Sequence, residues 1–373
     1  MGWYSNNIGI YRKPSPFSSI LYGSWGVRFN VNGGIKLDET SDYSWALGAK
    51  QIVDNLSTVG HVFTNFTQPA HGMYYTLRDN PEMDVASIHP AMVPSEENEN
   101  IIINAIKTFK DAGKKVILYI NAGGPSTLQS GSAEELEIKA AWEAYCNENF
   151  NGDLGLGWRE LAKGYFKRFK EMRVDGYWID NLSNLPGGDV GAFVGMIKEV
   201  DNSVAISSNL NRSYVKREDD PTEDLIVNSD GIGKPADYRI FKLEANDPYM
   251  DFTAGHVTPL GTGAPPNSWA YEEYTIPLVA DNVWSSYDGS KQTLKHGFFP
   301  VRERWSVPSV PLVFEVEQAY RFVRNFTDPR AAITWSTTIT NGYITSDEMA
   351  MMVEINDRMS EKPKPPYEAY IKP

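Results

Sequence analysis

The sequence predicts an α/β fold, a single (β/α)8 barrel of the TIM type with long loop insertions, on three observations. Short apolar runs alternate with amphipathic helical stretches along the chain, as they do where a parallel sheet is covered on both faces. Eight such runs occur in 373 residues, enough for a closed barrel, which takes about 250 residues before insertions. No Gly-x-Gly-x-x-Gly follows a strand, which disfavours the doubly wound open sheet.

The elements follow in chain order. The runs "SWGVRFNV" and "GHVFTNF" read as the first two strands. In "ENENIIINAIKTFKDAGKK" the residues Ile102, Ile106 and Phe109 share one helical face, and the apolar run "VILYINAGG" comes next. The stretch "WRELAKGYFKRFKEMR" aligns Leu161, Tyr165 and Phe169 ahead of "VDGYWIDN". "DVGAFVGMIKEV" then leads into "VAISSNL", and "DLIVNSDG", "DFTAGHVTPL" and "AAITWSTTI" complete the eight. A final helix is expected from about Ser346 to Met359. Residues 1–373 are read as one domain, with insertions near 68–98 and 261–311 and an extended tail over 360–373.

Composition narrows the function. Forty-eight acids against 35 bases give a net charge of −13, so no general field attracts a nucleic-acid backbone or an anionic membrane. No apolar run reaches the roughly 20 residues of a spanning helix. The single cysteine, Cys146, leaves neither an internal disulfide nor a Cys-rich metal site, and the five histidines form no metal-binding motif. Neither cofactor nor metal is expected; oligomeric state is left open. The first residues, "MGWYSNNIGIYRKPSPF", lack a basic head followed by an apolar core. A secretion signal is thus absent or removed, and a secreted or extracellular location is expected, with virion-associated or cytoplasmic alternatives open.

Barrels of this kind place their working groups at the carboxyl ends of the strands. Two aspartates bracket "DGYWID". Asp175, at the start, reads as a structural hydrogen-bonding residue of the helix-to-strand turn, whereas Asp180, at the end, is the candidate for chemistry. Other strand ends carry Asn30, Asn65, Asn121, Asn209 and Asp230. Trp25, Arg28, Tyr119, Trp178 and Trp335 stand close by in sequence, as does Asn181. Amides and carboxylates that orient hydroxyls, with aromatics that stack on pyranose faces, make a sugar site. His71 and His256 join this binding set.

The segment "VDGYWIDN" resembles the fourth-strand motif of retaining glycoside hydrolases, above all of the α-L-fucosidases and the endo-acting fucan hydrolases. In those families the strand-end Asp is the nucleophile, so the resemblance implies that role for Asp180. Length and the acid pair resemble the endo-α-1,3-fucanase family, implying an endo-acting enzyme on a sulfated fucan-like polysaccharide. Neither the His-rich early strand ends of exo-fucosidases nor a C-terminal β-sandwich is evident. A retaining mechanism calls for a second carboxyl group roughly 5 to 5.5 Å from the first. Glu244, partly desolvated after an apolar stretch, is the first candidate for acid/base; Asp230 is the second, and Glu272 and Glu273 follow. Arg28, Lys295, His296, Arg302 and Arg304 are candidate sulfate ligands. A non-catalytic carbohydrate-binding barrel, an inverting hydrolase and a lyase remain as alternatives.

Overall fold

The computed structural model describes residues 17–30, 45–65, 77–127, 131–210, 213–228, 237–256, 269–289 and 291–371. Seven strands form one parallel sheet: β1 (Trp25–Phe29), β2 (His61–Asn65), β3 (Lys115–Asn121), β4 (Gly176–Asp180), β5 (Ala205–Ser208), β6 (His296–Pro300) and β7 (Ala332–Ser336). Their spatial order is β6-β7-β1-β2-β3-β4-β5. The larger helices are α1 (Trp45–Asn55), α2 (Glu96–Asp111), α3 (Ala133–Asn149), α4 (Leu154–Glu171), α5 (Val190–Val200), α6 (Val316–Thr327) and α7 (Ser346–Ser360). Helices α2 to α5 begin at Ser95, Ser132, Asp153 and Asp189, whose side chains accept from the backbone N–H three residues on. Each thereby satisfies one of the donors a first helical turn leaves unpaired.

Successive side chains of a strand point to opposite faces, and here the two faces build separate cores. Val62, Leu118, Tyr177, Ile179, Ile206, Phe299 and Ile333 pack with the helices. Phe63, Ile117, Tyr119, Trp178, Ala205, Phe298 and Ala332 pack with one another. That second core requires the sheet to curl. β2 and β6 are three places apart, about 14 Å across a flat sheet, yet the Phe63 and Phe298 rings lie 5.3 Å apart. Gly26 makes room in this interior, since a Cβ there would come within 2.3 Å of the His61 ring.

Two of the eight expected strands need revision. The run "DLIVNSDG" does not join the large sheet: Ile226–Asn228 pairs antiparallel with Asp237–Arg239 in a two-stranded sheet. Three apolar residues between Asp224 and Asn228 are too few to be buried on two faces, and Ile226 is 50% exposed. The large sheet instead takes β6, "HGFFP", from the region expected to be a loop insertion. That region also forms two short helices, Trp269–Tyr274 and Ile276–Asp281. The start of "DFTAGHVTPL", residues 251–256, is irregular but bonds to both sheet edges. Asp251 N–H donates to Ile206 O of β5 at 2.7 Å, and Phe298 N–H of β6 donates to Gly255 O at 2.8 Å. Gly255 has φ +82°, and a Cβ on it would meet the Phe298 nitrogen at 2.6 Å.

Candidate active site

Asp180 is the last residue of β4 and shares the inward face with Trp178, two positions earlier. Its Oδ2 accepts from the Tyr119 hydroxyl of β3, and its Oδ1 from the Asn209 amide just beyond β5. The turn after β4 adds a third donor. Asn181 takes the left-handed conformation (φ +53°), and its own N–H reaches back to Oδ1 at 2.9 Å. Thus the sheet register that sets Tyr119 beside Trp178 also sets the donors around the carboxylate. Asp180 is 8% exposed.

Charge reinforces this placement. Arg28, inward on β1, faces Tyr119 and Asp180, and burial lowers its guanidinium to about 10 while those neighbours and Glu348 act to raise it. It remains a cation at neutral pH. Burial, the Asp180 charge and their hydrogen bond push the Tyr119 hydroxyl well above the ordinary tyrosine range, so it stays a donor.

His256 ends the segment 251–256 and is nearly covered. Its ring centroid lies 5.0 Å from that of Trp178, and it stacks on Phe298 at 5.7 Å with 22° between planes. Trp305 closes on it at 5.1 Å. The Trp178 indole N–H donates to Ala254 O at 3.0 Å, tying β4 to the same segment. An imidazole and a carboxylate are therefore mounted about a single indole, one on a strand and one on the segment bonded to β5 and β6.

The remaining expected residues divide. Asn65, Asn121 and Asn209 end inward-facing rows of β2, β3 and β5; Asn121 Oδ1 accepts from Gly123 N–H at 3.0 Å. Trp25 and Trp335 belong to the opposite face and cannot meet a sugar. Trp25 donates to Thr58 at 3.1 Å, and Trp335, 0% exposed, packs on Phe299, Phe314 and Phe322. Glu244 is not brought to Asp180: its described partners are the Ser213 hydroxyl and the charge of Lys295. Glu272 is buried in a bidentate pair with Arg321. Among the expected sulfate ligands, Arg302 is buried against Asp347 and Glu348, and His296 lies in the interior core. His71 and Asp230 lie outside the described residues.

Residues that the sequence analysis passed over complete the surroundings. Arg28 Nη1 donates to the hydroxyls of Ser306 and Ser336, each at 3.0 Å. Ser336 was within reach of strand alternation, which puts it and Thr334 inward and Trp335 outward. Trp305 and Ser306 sit in a loop that carries no periodic signal. Among the described residues no group of three His, Cys, Asp or Glu side chains is placed to hold a metal ion, and no helix is long and apolar enough to cross a membrane.

The profile of one family, described as Endo-alpha(1,4)-fucoidanase Mef1, matches residues 15–373. No curated protein matches the chain in sequence. Among solved structures, the endo-fucoidan hydrolase P5AFcnA of glycoside hydrolase family 107 is 49% identical with a TM-score of 0.89, covering 96% of this chain and 97% of its own. A histidine-to-glutamine variant of the family 107 endo-fucoidan hydrolase MfFcnA4 shares the fold at 15% identity and a TM-score of 0.71, over 93% of this chain and 55% of its own. The α-L-fucosidase isoenzyme 1 of Paenibacillus thiaminolyticus does so at 12% identity and a TM-score of 0.54, over 92% of this chain and 75% of its own.

Proposed function

The chain belongs to the Mef1 family of endo-α(1,4)-fucoidanases, and we propose that it cuts fucoidan internally at α(1,4) linkages by double displacement, with Asp180 as nucleophile and His256 as proton donor and acceptor. Membership makes it an endo-acting fucoidan glycoside hydrolase; linkage, stereochemistry and residue roles are our reading. The α(1,4) linkage follows the family's description and replaces the α-1,3 expected from sequence. A sulfated polysaccharide outside the cell as substrate suits an exported protein.

One observation carries the mechanism: of the strand-end side chains that face inward, Asp180 is the carboxylate and His256, across the Trp178 ring, is the imidazole. An Asp180 oxygen attacks the anomeric carbon while the bond to the leaving sugar oxygen breaks, and His256 gives that oxygen its proton. His256, now neutral, takes a proton from water; the water oxygen bonds the anomeric carbon and frees Asp180. Two inversions leave the configuration retained. Tyr119, Asn209 and the Asn181 N–H hold the carboxylate in one orientation for the attack. Asn65, Asn121 and Asn181 offer amides to sugar hydroxyls, and His71 belongs to the same binding set. The segment 251–256 acts as the eighth stave of a (β/α)8 barrel, so both reacting groups stand at stave ends.

Asp180→Gly should lose turnover by at least roughly 10⁴-fold, and azide should restore part of it by releasing a glycosyl azide. His256→Gln should also lose activity, while Glu244→Gln keeps it. NMR taken during the first turnovers should show the α-anomer. Turnover by Asp180→Gly, or a β-anomer as first product, would overturn the double displacement. Loss in Glu244→Gln with an active His256→Gln would return the proton transfer to Glu244.

A further inference from the structure

We propose that Arg28 is the positioning residue of this site: one guanidinium inside the sheet supplies the positive charge that faces the Asp180–Tyr119 pair and, through Ser306, fixes the loop that lays Trp305 on His256. The inference rests on the assignment of Asp180 as nucleophile.

Burying a guanidinium is costly unless an anion offsets it. Arg28 is 7% exposed, and its two described hydrogen-bond acceptors, Ser306 and Ser336, are neutral. Glu348 contributes to its field but is committed elsewhere. Glu348 Oε1 accepts from Arg302 Nε at 2.5 Å, and Oε2 from Thr338 N–H at 2.6 Å. Tyr119 is un-ionised, so Asp180 is the charge that Arg28 is placed to balance. An anionic nucleophile in a near-dry site needs such a partner; without it the carboxylate would hold its proton to higher pH.

The second arm is geometric. Ser306 has φ +58°, a conformation that non-glycine residues rarely adopt. That backbone turns its hydroxyl to Arg28 at 3.0 Å, directly after Trp305, which contacts His256 and Phe298 at 5.1 and 5.3 Å. Ser336, on β7 beside β1, anchors the same Nη1 from the other side. The Thr337 hydroxyl donates to Arg28 O and holds the backbone too. Removing the guanidinium therefore acts on both reacting groups, through charge on Asp180 and through the loop on His256.

The test compares Arg28→Met, Arg28→Lys and Ser306→Gly on fucoidan, each checked for native melting, with Asp180→Gly alongside. Arg28→Met should lower kcat roughly 100-fold and move the acid limb of kcat/KM up by about one pH unit, with KM changed less. The alkaline limb should move less, because the described charge partners of Arg28 are Tyr119, Asp180 and Glu348 rather than His256. Arg28→Lys should restore the acid limb without restoring kcat. Ser306→Gly, which tolerates positive φ, should lower kcat about tenfold and leave the acid limb in place. If Arg28→Met does not fold, Arg28→Lys and Ser306→Gly decide: wild-type kcat in both overturns the inference. An unshifted acid limb in a folded Arg28→Met also overturns it while Asp180→Gly remains inactive. Were Asp180→Gly active, the nucleophile assignment itself would fall.

Discussion

His61 and His296 lie inside the sheet on a hydrogen-bonded chain whose direction can be read from its ends. His296 Nδ1 stands 3.1 Å from Thr253 O, a carbonyl that only accepts, so Nδ1 carries the proton and Nε2 accepts from Thr334 Oγ1 at 2.8 Å. Thr334 Oγ1 then accepts from His61 Nε2 at 2.7 Å, and His61 Nδ1 accepts from Ser24 at 2.7 Å. Both rings are thus neutral, and added protons would break the chain. Burial drives His296 down to about 3, and burial with the nearby His296 holds His61 well below the ordinary histidine range. Unfolded histidines titrate near 6.5. Between that value and the folded ones the unfolded chain binds more protons, so stability is full above pH 6.5 and falls as pH drops, by up to about 1.4 kcal/mol per pH unit for each ring. Urea midpoints should therefore fall steeply from pH 6.5 to 4.5, and His296→Gln should flatten that slope. An unchanged slope would place the acid sensitivity elsewhere.

Strand periodicity explains which elements could be read beforehand. β1 to β5 and β7 were legible because each is an apolar run beside an amphipathic helix, and Asp175 was legible as structural: it accepts from Val116 N–H at 2.9 Å and pairs with Lys110 and Lys115. β6 was hidden because five residues that include His, Gly and Pro make a weak strand signal, and its burial comes from packing on β7 and Gly255. The proton donor was hidden for a related reason. Nothing in "DFTAGHVTPL" distinguishes a structural histidine from one set over Trp178; only the pairing of 251–256 with both sheet edges does so. Gly255 is the residue on which that pairing turns. Gly255→Ala should destabilise the fold by roughly 2–4 kcal/mol, through positive φ and the clash with Phe298 N. It should also lower kcat by displacing His256. A melting curve and activity at wild-type levels would show that this close approach is dispensable.

For the molecule as a whole, a net charge of −13 and a sequence pI near 5.0 oppose a polyanionic substrate. Sulfated fucoidan approaching such a surface is repelled over the Debye length, about 30 Å at 0.01 M salt and about 8 Å at 0.15 M. Arg28 is buried and Arg302 is paired with Asp347 and Glu348, so neither of these two bases extends an attractive field to long range. Repulsion acts on encounter and leaves the bond-breaking step unchanged, because the groups around Asp180 are shielded from solvent ions by burial. Initial rates across that salt range should therefore show KM falling several-fold while kcat holds constant. Neutral oligosaccharide fragments of the same backbone should show no such dependence. A KM that rises with salt on the sulfated polymer would mean that basic groups at the cleft dominate the whole-molecule field.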